Sequence, residues 1–319
     1  MMLAPARSWR PSPAALRRTF LGALVMNTVI VVTGGAVRLT ASGLGCPTVP
    51  KCTANSMVVT REMGVHGVIE FGNRLLTFVL TAAVVAALVT AWRARRRDLL
   101  GLAGLMFLGI VAQAVLGAVT VLTGLNPLTV MAHFLLSMLL LVLAVAAHHR
   151  ATTAPAQPGP VVGREIRVGA WLLTAAVAVT LVLGTVVTGT GPHSGDKNAE
   201  DRLPFDLESV SQLHADGVFL VIGLVIGLLV AVRAAAAPAP LPRRVAVLMG
   251  VVLAQGLIGY VQYATDLPVA LVMAHVLGAC LVWIATLRVL LATRPVADGP
   301  VSGAAAAGNR PAPAWAASR

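Results

Sequence analysis

Apolar residues in this chain neither alternate nor keep to one helical face; they run on until a cluster of charge, glycine or proline stops them. Eight such stretches, 17–40, 64–92, 99–122, 127–148, 167–190, 209–233, 244–263 and 268–292, are each long enough to cross the membrane's hydrocarbon as a helix, roughly 30 Å. In lipid every backbone polar group must be satisfied within the span, so the pattern predicts an all-α membrane protein with eight transmembrane helices.

The pattern also repeats. The stretch from Gln113 to His133 returns from Gln255 to His275: both open Ala-Gln, both place glycine four residues on (Gly117, Gly259), and both close Val-Met-Ala-His after the same gap. A weaker echo pairs Val31-Val32-Thr33-Gly34 with Val186-Val187-Thr188-Gly189, each followed by a Ser-Gly, at Ser42-Gly43 and Ser194-Gly195. The expected architecture is therefore two tandem four-helix bundles, 17–150 and 167–292, joined by a cytoplasmic linker at 151–166. Four helices per half is an even number, so both halves run the same way and their pseudo-twofold axis should stand along the membrane normal. A cytoplasmic N-terminal tail (1–16) and a disordered Ala/Gly/Pro-rich tail (293–319) complete the chain.

Composition excludes a soluble domain, with 57% hydrophobic and 11% charged residues. The formal charge of +12 sits almost entirely on four sets of arginines: before the first span, after the second, between the fourth and fifth, and between the sixth and seventh. The positive-inside rule then makes both termini cytoplasmic and accounts for the charge without nucleic acid. Lys51 and Lys197 are the only lysines, an arginine bias that fits a GC-rich bacterium and hence a plasma membrane. The first span has no small-residue cleavage site behind it and reads as a retained helix, not a signal peptide.

Candidate chemistry gathers toward the outer face. Arg38, at the outer end of the first span, runs against the charge trend and is expected to have a carboxylate partner. Cys46 and Cys52 lie in the first outer loop, in an oxidising compartment, and are expected to form a disulfide; a structural staple and a redox role both remain open. His66, Glu70 and Asn73 share one face of the second span. A carboxylate at Glu70 needs a reason to be there, either proton transfer or pairing with Arg38 or Arg74. His133, His214 and His275 lie at similar depth from the outer side. Each half offers too few ligands for zinc, whereas two histidines on different helices can clamp a haem iron, noncovalently because no Cys-x-x-Cys-His occurs. His148, His149 and His193 read as solvated or interfacial, and Cys280 as a packing residue.

Together, the run from Gly34 to Pro47, Cys52, Glu70 with Arg74, and the duplicated histidine segments resemble the haem A synthase family over roughly 17–292. The resemblance implies oxidation of a methyl group of haem O to the formyl group of haem A by successive hydroxylations. It implies noncovalent haem b on His214 and His275, substrate haem O on His133, Glu70 as the essential carboxylate, and Cys46 and Cys52 as the loop pair. Implied partners are haem O synthase as donor of haem O, membrane lipid and cytochrome oxidase assembly factors, with the haem sites toward the outer face. Many members of that family carry histidine where this chain has Asn73, so the substrate haem has either His133 alone or His66 as a second ligand. A non-catalytic diheme cytochrome b and, further off, a transporter are the alternatives. A haem O-forming prenyltransferase would need clustered aspartates, which the sequence lacks.

Overall fold

A computed structural model of the chain describes residues 10–153, 162–199 and 201–293; the expectations for 1–9, for the middle of the linker and for most of the C-terminal tail lie outside them. Eight long helices are present: α1 (Pro13–Leu39), α2 (Gly64–Arg93), α3 (Arg97–Leu122), α4 (Pro127–Thr152), α5 (Arg164–Thr190), α6 (Leu207–Ala234), α7 (Pro240–Ala264) and α8 (Val269–Ala292). All eight are long and apolar enough to cross a membrane.

Several helices outrun the apolar stretches that announce them, because helix ends are set by caps and not by the edge of the hydrocarbon. Ser12 accepts a hydrogen bond from the Ala15 N–H and Pro13 fills the first turn, so α1 starts before residue 17. Asp206 does the same for Ser209 at the start of α6. At the other end of α4, His149 and Arg150 suit a helix C-terminus and carry it to Thr152, which shortens the expected 151–166 connection.

Helices α1 to α4 close on themselves: α1 packs on α2 and α4, and α3 on α2 and α4. Helices α5 to α8 close in the same way, and the two sets meet through α1 with α8, α4 with α5, and α4 with α8. Exchanging each helix with its counterpart four places on leaves this pattern unchanged. Across the α4–α8 junction the Trp283 indole N–H donates to the Met138 carbonyl at 3.0 Å.

Burial gives the register of the repeat residue by residue. Leu80, Val84, Ala87 and Ala91 of α2 are buried where Val221, Val225, Leu228 and Val232 are buried on α6, at one constant offset. Leu99, Ala103, Met106 and Ile110 of α3 match Leu241, Val245, Leu248 and Val252 of α7. On α1, Leu16, Phe20, Ala23 and Leu24 match Ile166, Ala170, Leu173 and Thr174 of α5. That last register corrects the Val-Val-Thr-Gly echo: Gly34 corresponds to Gly184, not to Gly189. Short small-residue strings recur by composition alone, whereas a buried face is fixed by what packs on it.

The dense core lies at the arginine-bearing end of both sets, around Phe20, Leu99, Met106 and Leu141 in one and Leu173, Val225, Val245 and Leu248 in the other. Toward the opposite end, α3 from 111 to 122, α6 from 207 to 220, α7 from 253 to 264 and α8 from 269 to 277 bury no side chain at all. Protein interiors are normally filled to crystal-like density. Each set is therefore packed at one end and loosely filled at the other, and the histidines lie at the loosely filled end.

Candidate functional site

In the second half, His214 of α6 and His275 of α8 face one another, with ring centroids 6.4 Å apart and ring planes at 64°. Each ring rests on a glycine of the preceding helix. A Cβ added at Gly184 would lie 3.1 Å from His214 Cε1, and one at Gly259 would lie 3.2 Å from His275 Cε1. The His214 Nδ1–H donates to the Thr180 carbonyl at 3.1 Å, which fixes the tautomer and leaves Nε2 as the free lone pair. His275 Nδ1 is buried without a hydrogen-bond partner. The repeated glutamine acts as a brace, since the Gln255 amide donates to the His275 carbonyl at 2.9 Å and holds that turn of α8 against α7.

The first half repeats half of this arrangement. His133 of α4 rests on Gly117 of α3, a Cβ there lying 3.2 Å from His133 Cε1, and its Nδ1 is likewise buried and unpartnered. Gln113 donates to the His133 carbonyl at 3.1 Å and to Ser137 Oγ at 2.5 Å. Facing it in the repeat, however, is Asn73: the register that places Val84 on Val225 places Asn73 on His214. Gly34, the counterpart of Gly184, has Asn73 Nδ2 as its nearest neighbour at 4.0 Å from an added Cβ. The Thr33 hydroxyl donates to Asn73 Oδ1 at 2.7 Å.

His66 lies apart from the position that corresponds to His214. It sits at the start of α2, two helical turns before Asn73, or about 10 Å along the axis. Its Nδ1 pairs with Ser42 Oγ at 3.0 Å, and the Gly45 backbone packs directly on its carbonyl.

Glu70 is only 5% exposed and both of its oxygens are engaged. Oε2 accepts from the Cys46 N–H at 2.5 Å, and Oε1 accepts from Arg74 Nη2 at 2.5 Å, an i, i+4 pair on α2. Arg74 also donates to the Cys46 carbonyl at 2.8 Å and the Thr48 carbonyl at 3.0 Å. The two side chains thus grip both polar groups of one peptide residue, in the loop closed by the Cys46–Cys52 disulfide. Pairing with Arg74 is the arrangement found.

Arg38 has no carboxylate partner among the described residues; Nε donates to the His193 carbonyl and Nη2 to the Thr188 carbonyl, both at 2.8 Å. The carbonyls of the last turn of α5 lack intrahelical donors and attract a cation, which the charge trend alone does not reveal. Beside this tie the Gly43 N–H donates to the Gly195 carbonyl at 2.7 Å, so the two Ser-Gly pairs noted in the sequence meet across the halves.

Two imidazoles bonded to opposite sides of one metal, each at about 2 Å, have ring centres about 6 Å apart. The 6.4 Å between His214 and His275 fits that span, and the free Nε2, the glycine seats and the sparse packing suit a flat macrocycle. Among the described residues no group of three His, Cys, Asp or Glu side chains is placed to hold a metal, which suits a two-ligand haem better than zinc. Sequence reasoning missed Gly184 and Thr180, which belong to no repeated motif: the burial register exposes the first and its hydrogen bond to His214 the second.

Fold and site together define an eight-helix membrane protein with a paired-histidine pocket in one half and a single histidine beside a clamped carboxylate in the other. Comparison takes this further: the chain belongs to the cytochrome oxidase assembly protein family, COX15-CtaA, which matches residues 17–193. Among similar proteins is the heme A synthase of Lysinibacillus sphaericus, 34% identical over 126 residues, 38% of this chain and 40% of that one. That of Methylorubrum extorquens strain PA1 is 32% identical over 222 residues, covering 58% and 57% of the two chains. That of Geobacillus thermodenitrificans is 31% identical over 148 residues, covering 44% and 46%. The matches span about half the length of these relatives.

Proposed function

We propose that the protein is a haem A synthase that oxidises a methyl group of haem O to a formyl group. The observation that carries the reading is the repeated seating of histidine on glycine, His133 on Gly117, His214 on Gly184 and His275 on Gly259, in a chain of this family. Each half is one four-helix unit, and the pseudo-twofold axis between them stands along the membrane normal.

In this reading His214 and His275 would hold haem b, with Thr180 orienting the first and Gln255 the second. Haem b supplies one-electron transfer. His133 is the protein ligand to the substrate haem O, its turn of α4 held by Gln113. Two successive hydroxylations of the methyl carbon, each a two-electron oxidation completed by an exogenous oxidant, give a gem-diol that loses water to leave the aldehyde. Glu70 is the essential carboxylate: Arg74 and the Cys46 N–H hold it in place as the anion, and each oxygen keeps a further lone pair for a proton released as a methyl C–H bond breaks. Arg38 acts at a distance, tying the end of α1 to the end of α5.

Both termini lie on the cytoplasmic side of a bacterial plasma membrane and the histidine end faces outward, because the arginines gather at the opposite end. Haem O arrives from haem O synthase within the lipid, and the product passes to cytochrome oxidase assembly. The test is to purify the protein from cells that supply haem O, extract its haems and separate them by chromatography. Haem b together with haem A or its alcohol precursor is expected. Haem b alone would leave a diheme electron carrier, and no haem at all would return the transporter reading.

A further inference from the structure

The two histidine sites are alike in frame and unlike in ligands, and the difference falls on one residue. Gly117 seats His133 as Gly259 seats His275, and Gln113 braces the first as Gln255 braces the second. On the opposite wall, Gly184 seats His214 in the second half, whereas its counterpart Gly34 adjoins Asn73. An amide is a poor ligand for iron: its nitrogen has no available lone pair, and its oxygen here is already an acceptor for Thr33 Oγ1 at 2.7 Å. No other histidine reaches the position. His66 is bound to Ser42 under the first loop, two turns away, and its backbone is pinned by Gly45.

We propose that the first-half site gives its haem one protein ligand, His133, and leaves the face toward Asn73 open to a small exogenous iron ligand of the dioxygen or carbon monoxide class. This rests on the haem reading of the first half and deepens it. With Oδ1 turned to Thr33, Asn73 keeps its amide N–H groups to offer, donors suited to the outer atom of a bound diatomic ligand. An amide in place of an imidazole thus frees one axial position, beside the loop that carries Glu70's partner Cys46. The second-half site, with two imidazoles at 6.4 Å, has both axial positions taken.

The experiment uses the full-length protein in detergent, loaded with haem b in both halves, and reads spin state by electron paramagnetic resonance and carbon monoxide binding by the optical spectrum of the reduced form. Wild type should show a high-spin ferric signal beside a low-spin one and bind about one carbon monoxide per two haems. Asn73→His should keep both haems, lose the high-spin signal and lose carbon monoxide binding. Asn73→Ala, a smaller change that keeps the site open, should retain carbon monoxide binding, as should His66→Ala. Two bound haems that are both low-spin and refuse carbon monoxide would overturn the open face while leaving the haem reading intact. So would carbon monoxide binding that Asn73→His does not alter. A haem content that His133→Ala leaves unchanged would instead overturn the first-half haem site itself, and the open face with it.

Discussion

Set side by side, the halves share a scaffold to the residue and part company at the chemistry. The same buried positions recur on α2 and α6 and on α3 and α7, and the same glutamine braces the same histidine on α4 and α8. Against that constancy, one half sets two imidazoles across a gap, and in the other the register puts an amide, Asn73, where the first of those imidazoles stands. Among the described residues, only the amide-bearing half carries a buried carboxylate gripped to a disulfide loop. A duplicated frame can keep its packing and specialise by changing very little. On the proposed function, the two-histidine pocket is the one that would retain haem and exchange electrons, and the single-histidine pocket the one with a position left for reaction.

The comparison breaks hardest at the axial ligands. His275→Ala should cost the second half its haem, a fall of about one equivalent per chain measured as pyridine haemochromogen, with the low-spin resonance lost and the first-half signal kept. An unchanged low-spin signal would remove His275 from the site. Next comes Glu70→Gln, which keeps the shape and removes the charge. Product haem, followed by chromatography, should fall about 100-fold while haem content holds, as for loss of a proton-accepting group. Equal turnover would reduce Glu70 to a loop anchor.

Smaller changes sharpen the contrast between the two glycine walls. Gly184→Ala puts a methyl 3.1 Å from the His214 ring and should weaken haem binding about tenfold, roughly 1.4 kcal/mol, in a haem-transfer titration to apomyoglobin. Gly34→Ala, with 4.0 Å to Asn73, should leave first-half binding within about twofold. Equal effects at both would mean that the two walls do not differ as described. The smallest effect is at the tie between loops. Burial, and then the nearby Arg38 charge, holds the His193 imidazole below its ordinary value. A base depressed in the folded state takes up its proton more readily when the loop opens, so the closed loop is fully favoured above about pH 6.5 and loses stability as pH falls below it. Amide exchange in 191–199, corrected for its intrinsic pH dependence, should rise at pH 5.5 relative to pH 7.5.

Much of this is legible in the chain because a membrane span advertises itself: length and apolarity place all eight helices, and the charge steps between them order the connections. The Gln113–His133 and Gln255–His275 motifs disclose the repeat on α3–α4 and α7–α8, where the glutamine, the glycine and the closing Val-Met-Ala-His lie in fixed register. On α1 and α5 the same method fails, since the Val-Val-Thr-Gly likeness is compositional and the true register shows only in which side chains are buried. The carbonyl partners of Arg38 are hidden in the sequence for a related reason. Sequence displays carboxylates as candidate partners but does not display the unpaired carbonyls at a helix end, which are set by where the neighbouring helix stops. The choice between Asn73 and His66 likewise needs the loop fold that ties His66 to Ser42.

The most tightly packed side chains of both halves lie at the end away from the histidines, so that part of the folding free energy does not depend on what the histidines hold. Binding then adds to stability by mass action. On the proposed function this separation matters for turnover: the first half must give up one macrocycle and admit another in every cycle, and a core set apart from the histidines lets it do so without repacking. The thermal midpoint of the apoprotein should therefore differ from the loaded form by the binding term alone, with the same cooperative unfolding in both.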